Sequence, residues 1–199
     1  KLSLELGGNA PFIVFEDADI DLAVKGAIAG KFRFSGQTCV CVNRILVHDD
    51  VYDLFVEKFT QAVKALKLGN GLEADVNLGP VINQRAIERM KDMTADAIAK
   101  GGKVVLGGNA IEPQFFEPTI ITEATSEMLF AQEEIFGPIA PIFRFKTEDE
   151  AIHIANNTIY GLASYFYTKD LNRSWRVREG LEYGIVGINE GLISSEVVP

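Results

Sequence analysis

Short apolar runs alternate with longer helical stripes along this chain. The short runs are residues 11–15, 44–48, 103–106, 118–122, 139–145, 162–167 and 184–189. Several are apolar without a period-two break, the pattern of strands covered on both faces in a parallel sheet. Between them, Ile20, Ala23, Val24, Ala27 and Ile28 recur at helical spacing, with Asp19 placed to cap the first turn. Val51, Leu54, Phe55, Phe59, Ala62 and Leu66 predict a second helix behind Asp50. Ala86, Ile87, Met90, Met93, Ala97 and Ile98 predict a third behind Asn83, ended by Gly101-Gly102. Thr147-Glu148-Asp149-Glu150 fits a capping box opening a fourth, and residues 170–179 a fifth, with Gly180 as its stop. The Met and Phe stripes read as core. This alternation predicts an α/β layer fold on a mainly parallel sheet. With no internal repeat and no low-complexity linker, residues 1–199 read as one domain.

Composition narrows the function. Hydrophobic residues make up 47% and charged residues 24%, which excludes a disordered or collagen-like chain. The 19 basic and 28 acidic residues give a net charge of −9, against an extended nucleic-acid surface, which needs surplus Lys and Arg. A small anionic substrate needs only one or two placed Arg. No apolar run approaches the ~18–20 residues that span a bilayer, and residues 1–5 are no signal peptide. Neither nucleic acid nor membrane is expected as a partner. The two cysteines, Cys39 and Cys41, cannot staple a domain, so a reducing, cytoplasmic setting is expected. His48 and His153 show no zinc-ligand spacing, so no metal is expected. The chain lacks an initiating Met, starts inside a strand-like segment and stops after an apolar stretch, which leads to the expectation of a piece of a longer polypeptide.

Three segments could carry chemistry. Cys39 falls in a loop between a helix and a strand, a usual place for a reactive group. An isolated free Cys is more often buried and inert, but Gly36 permits close backbone approach and Arg33 favours a thiolate. Glu5 lies between Leu4 and Leu6. A carboxylate in apolar surroundings has a raised pKa and can act as a base; the alternative is an edge-strand Glu facing water. Gly7-Gly8 lets a planar ligand approach, or marks a plain turn. Glu133, Glu134 and Phe136, followed by Gly137-Pro138, offer a hydroxyl acceptor and a ring platform, or a helix end and turn. Dinucleotide, phosphate-loop, nucleophile-elbow and zinc-protease motifs are absent from the sequence.

In this order, Glu5-Leu6-Gly7-Gly8, Gly36-Gln37-Thr38-Cys39 and Glu133-Glu134-Ile135-Phe136-Gly137-Pro138 resemble the motifs of the aldehyde dehydrogenase superfamily, and the similarity covers essentially the whole chain. Cys39-Val40-Cys41-Val42-Asn43-Arg44, with Arg33 shortly before the first Cys, is similar to the succinate-semialdehyde dehydrogenase branch. The branch usually has Asn where this chain has Phe34.

The resemblance implies a three-layer α/β catalytic domain, with the dinucleotide-binding domain outside this chain and little activity without it. It implies NAD or NADP as cofactor and a homo-oligomer when full length. Cys39 would be the nucleophile and Glu5 the base that activates the hydrolytic water. Glu134 would accept from the nicotinamide ribose, with Phe136 packed nearby and Leu6 and Gly7 lining the nicotinamide side. Arg33 would pair with a carboxylate on the aldehyde, a bidentate contact guanidinium suits, and Ser194 would share it. For Arg33 the alternative is a surface salt bridge; for Ser194, a plain loop serine. Glutarate semialdehyde or uncharged aldehydes are the neighbouring substrate readings. The close spacing of Cys39 and Cys41 suggests a reversible disulfide, against a buried structural thiol.

Overall fold

The computed structural model describes residue 2, residues 4–111 and residues 113–194. Ser195, beside Ser194, and the terminal Lys1 and Pro199 lie outside the described residues. The strands are β1 (Ala10–Val14), β2 (Val42–His48), β3 (Lys103–Leu106), β4 (Ala110–Ile111), β5 (Phe115–Phe116), β6 (Thr119–Ala124), β7 (Ile139–Phe145), β8 (Ala163–Tyr167) and β9 (Ile185–Ile188). The helices are α1 (Ile20–Phe32), α2 (Tyr52–Lys64), α3 (Gln84–Ala99), α4 (Leu129–Gln132), α5 (Glu148–Asn156) and α6 (Leu171–Gly180).

Seven strands form one sheet in the order β3-β6-β7-β2-β1-β8-β9. Only β3 runs antiparallel to its neighbour; the other pairs are parallel. All seven apolar runs are strands of this sheet. The β4–β5 hairpin, two residues per strand, leaves no readable period.

Successive strand side chains point to opposite faces. Phe12 and Val14 of β1, with Ile45 and Val47 of β2, pack under Ala23, Val24 and Ala27 of α1 and Phe55, Phe59 and Val63 of α2. Ile13 of β1 and Leu46 of β2 face the other way, toward Met90 and Met93 of α3, Ala151 and Ala155 of α5 and Val177 of α6. The result is three layers with a core on each side of the sheet. Each fully buried Val, Leu or Phe contributes roughly 1.5–3 kcal/mol.

Polar side chains open the helices largely where the sequence places them. Asp19 accepts from Leu22 N at 3.1 Å and Asn83 from Ala86 N at 3.0 Å. Asp170 caps α6 through Asn172 N and Arg173 N. Thr147 caps α5, but Glu150 accepts from Lys146 N, one residue before the position a capping box uses. Gly101, at φ +92°, ends α3, and Gly102 N donates to Ala97 O at 2.8 Å.

Two boundaries differ from expectation. Asp50 does not cap α2: residues Asp49–Val51 form a 3-10 turn whose Asp50 N–H is taken by His48 Nδ1, and the helix starts at Tyr52. Gly180 is the last residue of α6 rather than its stop, because Leu181 N still reaches Val177 O.

β7, β2 and β1 are adjacent and parallel, so their amino ends share one edge of the sheet. Residues 5–8 lead into β1, residues 37–41 into β2 and residues 133–138 into β7. Open α/β sheets usually bind ligands at the carboxyl edge. Here the candidate residues gather at the opposite edge.

Candidate active site

The chain reverses between α1 and β2 through a strained turn. Phe34 at φ 51°, Ser35 at φ 56° and Gly36 at φ 75° are three successive left-handed residues. Each residue with a Cβ in that region costs roughly 1–2 kcal/mol. Surrounding contacts hold the turn: Ser35 Oγ donates to Gly79 O at 2.9 Å, and Gln37 Oε1 accepts from Ile82 N at 2.9 Å. A Cβ on Gly36 would meet Gly137 O at 2.3 Å, so only glycine fits there. Cys39 emerges from this turn half-buried and free.

Glu5 lies elsewhere than the apolar surroundings expected of it. Glu5 is exposed, as are Leu4 and Leu6, and this segment has no sheet partner ahead of β1. Its position is set further along. A Cβ on Gly8 would lie 2.0 Å from Cys39 O, and one on Gly7 would lie 2.7 Å from Glu134 Oε2. The backbone thus runs against both the thiol loop and the Glu134 carboxylate. Gly8 N donates to Glu134 Oε1 at 2.9 Å. Glu5, Leu6, Gly7, Cys39, Glu134 and Phe136 all line one cavity of about 390 Å³.

Burial pushes the Glu134 carboxyl up, while the Gly8 N–H and the charges of Arg89 and Lys31 pull it back; the net shift is upward. Phe136 follows at φ 51° with its ring partly exposed. Arg89 braces this segment, donating to Glu134 O at 2.7 Å and pairing with Glu133.

Three buried polar residues, Asn43, Arg44 and Tyr165, organise the site through bonds that the sequence analysis did not assign. Asn43 Nδ2 donates to Gly8 O at 3.3 Å and Cys41 O at 3.2 Å, while its Oδ1 accepts from Ile135 N at 3.1 Å. One amide therefore joins all three motif segments. Arg44 donates to Asn9 O, Ile154 O, Ala155 O and Tyr183 Oη; burial lowers its pKa, and it has no carboxylate partner among the described residues. Tyr165 Oη donates to Val40 O at 2.8 Å, fixing the residue after Cys39. The available signal was an Asn-Arg pair opening an apolar strand, where an unpaired polar group would be costly.

Cys41 is fully buried, with Lys31 Nζ 3.5 Å from its Sγ and the carbonyls of Lys31 and Val42 as acceptors. Burial raises the Cys41 thiol and lowers the Lys31 amine, each against the pull of the other.

The structure brings Arg33 and Ser194 to each other. Arg33 Nη1 donates to Ser194 Oγ at 3.4 Å. Arg33 forms no ion pair among the described residues, so the salt-bridge alternative is not met there. It lines a second cavity of about 550 Å³ with Phe34, Gln37 and Pro80. Gln37 borders both cavities. Among the described residues, no helix is long and apolar enough to cross a membrane, and no cluster of three His, Cys, Asp or Glu could hold a metal.

A family model described as "Aldehyde dehydrogenase family" matches residues 1–199. A glutarate-semialdehyde dehydrogenase of Pseudomonas putida is 58% identical over 199 residues, covering 100% of this chain and 42% of that protein. A mitochondrial succinate-semialdehyde dehydrogenase of Arabidopsis thaliana is 55% identical over 201 residues, covering 100% and 38%. The crystal structure of succinate-semialdehyde dehydrogenase from Burkholderia pseudomallei matches with a TM-score of 0.98 at 55% identity, covering 100% of this chain and 42% of that one. The chain spans about two-fifths of the length of these relatives. The Arabidopsis relative is mitochondrial, so this similarity does not support the cytoplasmic expectation.

Proposed function

This chain belongs to the aldehyde dehydrogenase family, and on that premise we propose that it carries the catalytic residues for NAD- or NADP-dependent oxidation of succinic semialdehyde to succinate. The observation that carries this reading is the meeting of Cys39, Glu5 and Glu134 around one cavity.

The Cys39 thiolate attacks the aldehyde carbon, forming a C–S bond and a thiohemiacetal oxyanion. Backbone N–H groups near Cys39 are suited to hold that oxyanion. NAD or NADP, held by Glu134, Phe136, Leu6 and Gly7, would supply the hydride acceptor needed for oxidation to the thioester. Glu5, exposed to solvent at the cavity wall, takes a proton from water. The hydroxide attacks the thioester, the C–S bond breaks, and Cys39 leaves as thiolate with the carboxylic acid as product.

The residues fit the nicotinamide end of the cofactor. Glu134 uses Oε1 on Gly8 N, and its Oε2 lies in a cradle that a Cβ on Gly7 would fill. Glu134 would accept from a ribose hydroxyl there, beside the exposed Phe136 ring and Leu6. Arg33, without an anion among the described residues and in contact with Ser194 Oγ, supports a substrate that brings its own carboxylate.

The test compares kcat/KM for succinic semialdehyde and for butanal in the full-length polypeptide containing this chain. The uncharged analogue forgoes the charge-assisted contact to the exposed Arg33, which predicts a preference of roughly 10- to 100-fold. A ratio near one would reduce the assignment to a broad-range aldehyde dehydrogenase. Turnover that survives Cys39→Ala would overturn the covalent route.

A further inference from the structure

Phe34 occupies a backbone conformation that its side chain makes costly. Its φ of 51° and ψ of 31° are left-handed. Glycine, and to a lesser degree Asn, enters this region easily; a bulky aromatic does not. Burial does not offset the strain, because Phe34 is 63% exposed. A strained, solvent-facing aromatic beside a proposed substrate residue points to function rather than packing.

The ring lies against Arg33. The guanidinium carbon sits 4.9 Å from the ring centroid. A cation–π contact draws on the charge of the guanidinium and leaves N–H groups free to bind a carboxylate, so the two contacts are compatible. Ser194 Oγ occupies one position on that edge, at Nη1. Both Arg33 and Phe34 line the 550 Å³ cavity. An exposed Arg normally has to be ordered when ligand binds, which weakens affinity. A ring already in cation–π contact with it removes part of that ordering cost.

We infer that Phe34 is a specificity-determining residue: its ring pins the Arg33 guanidinium with its N–H edge set for the substrate carboxylate, and the left-handed backbone is what places the ring there. This rests on the proposed role of Arg33 as the carboxylate clamp, and the experiment separates the two.

Wild type, Phe34→Asn, Phe34→Trp, Arg33→Met and the Arg33→Met/Phe34→Asn double variant are compared as full-length polypeptides. The readouts are the kcat/KM ratio of succinic semialdehyde to butanal, and Tm. Phe34→Asn is expected to lower the ratio roughly 2- to 30-fold, through KM for the semialdehyde, the range of a cation–π contact. It is also expected to raise Tm, since Asn tolerates the left-handed region. Phe34→Trp, which keeps a ring, is expected to keep the ratio. Once Arg33 is Met, Phe34→Asn is expected to have no further effect on it. A collapsed ratio in Arg33→Met with an unchanged ratio in Phe34→Asn overturns the role of Phe34 and leaves the clamp standing. An unchanged ratio in Arg33→Met overturns the clamp and this inference together. A lower Tm in Phe34→Asn overturns the claim that the ring is held under strain.

Discussion

Asn43 Nδ2 donates to the carbonyl of Gly8, 3.3 Å away and 35 residues earlier in the chain. That bond, with its companions to Cys41 O and Ile135 N, makes Asn43 the knot between the acid, thiol and Glu134 segments. Asn43→Ala is expected to cost roughly 1–3 kcal/mol in stability, the penalty for buried groups left unpaired. The kinetic loss should be larger in kcat than in KM, because the displaced segments carry the residues proposed to react. Chemical denaturation and steady-state rates on the same preparation check both; unchanged kcat with lowered stability would reduce Asn43 to a packing residue.

Gly8→Ala tests the close approach of two loops. The new Cβ would lie 2.0 Å from Cys39 O, a backbone atom that cannot swing aside. A displacement on the order of 1 Å at a reacting centre costs about 10² in rate. The expected outcome is at least that loss of kcat/KM, with secondary structure retained by circular dichroism.

Asp17 makes a pH signature at the opposite edge of the sheet. It accepts from Thr168 Oγ1, Lys169 N, Asp170 N and Arg173 Nη1. Burial alone would raise its pKa, but those hydrogen bonds and the Arg173 charge hold it below 3.8. A lowered folded-state value stabilises the fold above the unfolded carboxylate pKa and loses that effect as pH falls through the folded value. Asp17→Asn should therefore cost about 1 kcal/mol at neutral pH, allowing for solvent screening. The gap from wild type should close below the usual carboxylate range. Urea titrations across that range measure it; a gap independent of pH would sink the idea.

Cys41 yields a redox prediction. Its Sγ is placed to donate to Lys31 O and Val42 O, and a disulfide sulfur has no proton to donate. A Cys39–Cys41 bond would therefore give up both contacts, so oxidation should destabilise the strand entry and be readily reversed by thiols. Intact mass and peptide mapping after peroxide, with Tm before and after reduction, test this. Cys39 sulfinic acid without a linkage to Cys41 would exclude it.

The hydrophobic pattern exposed the sheet because its strands are buried on both faces, as β1 and β2 are, and such runs stand out from helical stripes. It failed at Asp50 because the competing bond, His48 Nδ1 to the Asp50 amide, depends on a side chain outside the stripe. In the site, the motif residues Cys39, Glu134 and Gly7 were legible because glycines and charges are out of place in apolar surroundings. The bonds that Asn43, Arg44 and Tyr165 make were not. Each acts on a backbone carbonyl of another loop, and no spacing rule reveals which carbonyl a side chain will meet. Of the two surroundings the sequence allows for Glu5, the structure gives the water-facing one: Leu4 and Leu6 are apolar but exposed ahead of β1.

Glu5 and Cys39 stand at the entries of two neighbouring parallel strands joined by a single helix, β1–α1–β2. The proposed base and the proposed nucleophile are therefore inherited together on one short stretch of gene. Recombination between relatives that breaks after residue 48 passes both on as a block with Arg33, and leaves Ser194 and the Glu134 segment to be matched from the other parent. A break inside α1 splits the pair. Chimaeras built at the first boundary should tolerate exchange, and the substrate preference of the hybrids would then be decided by how well Arg33 from one parent meets residue 194 from the other.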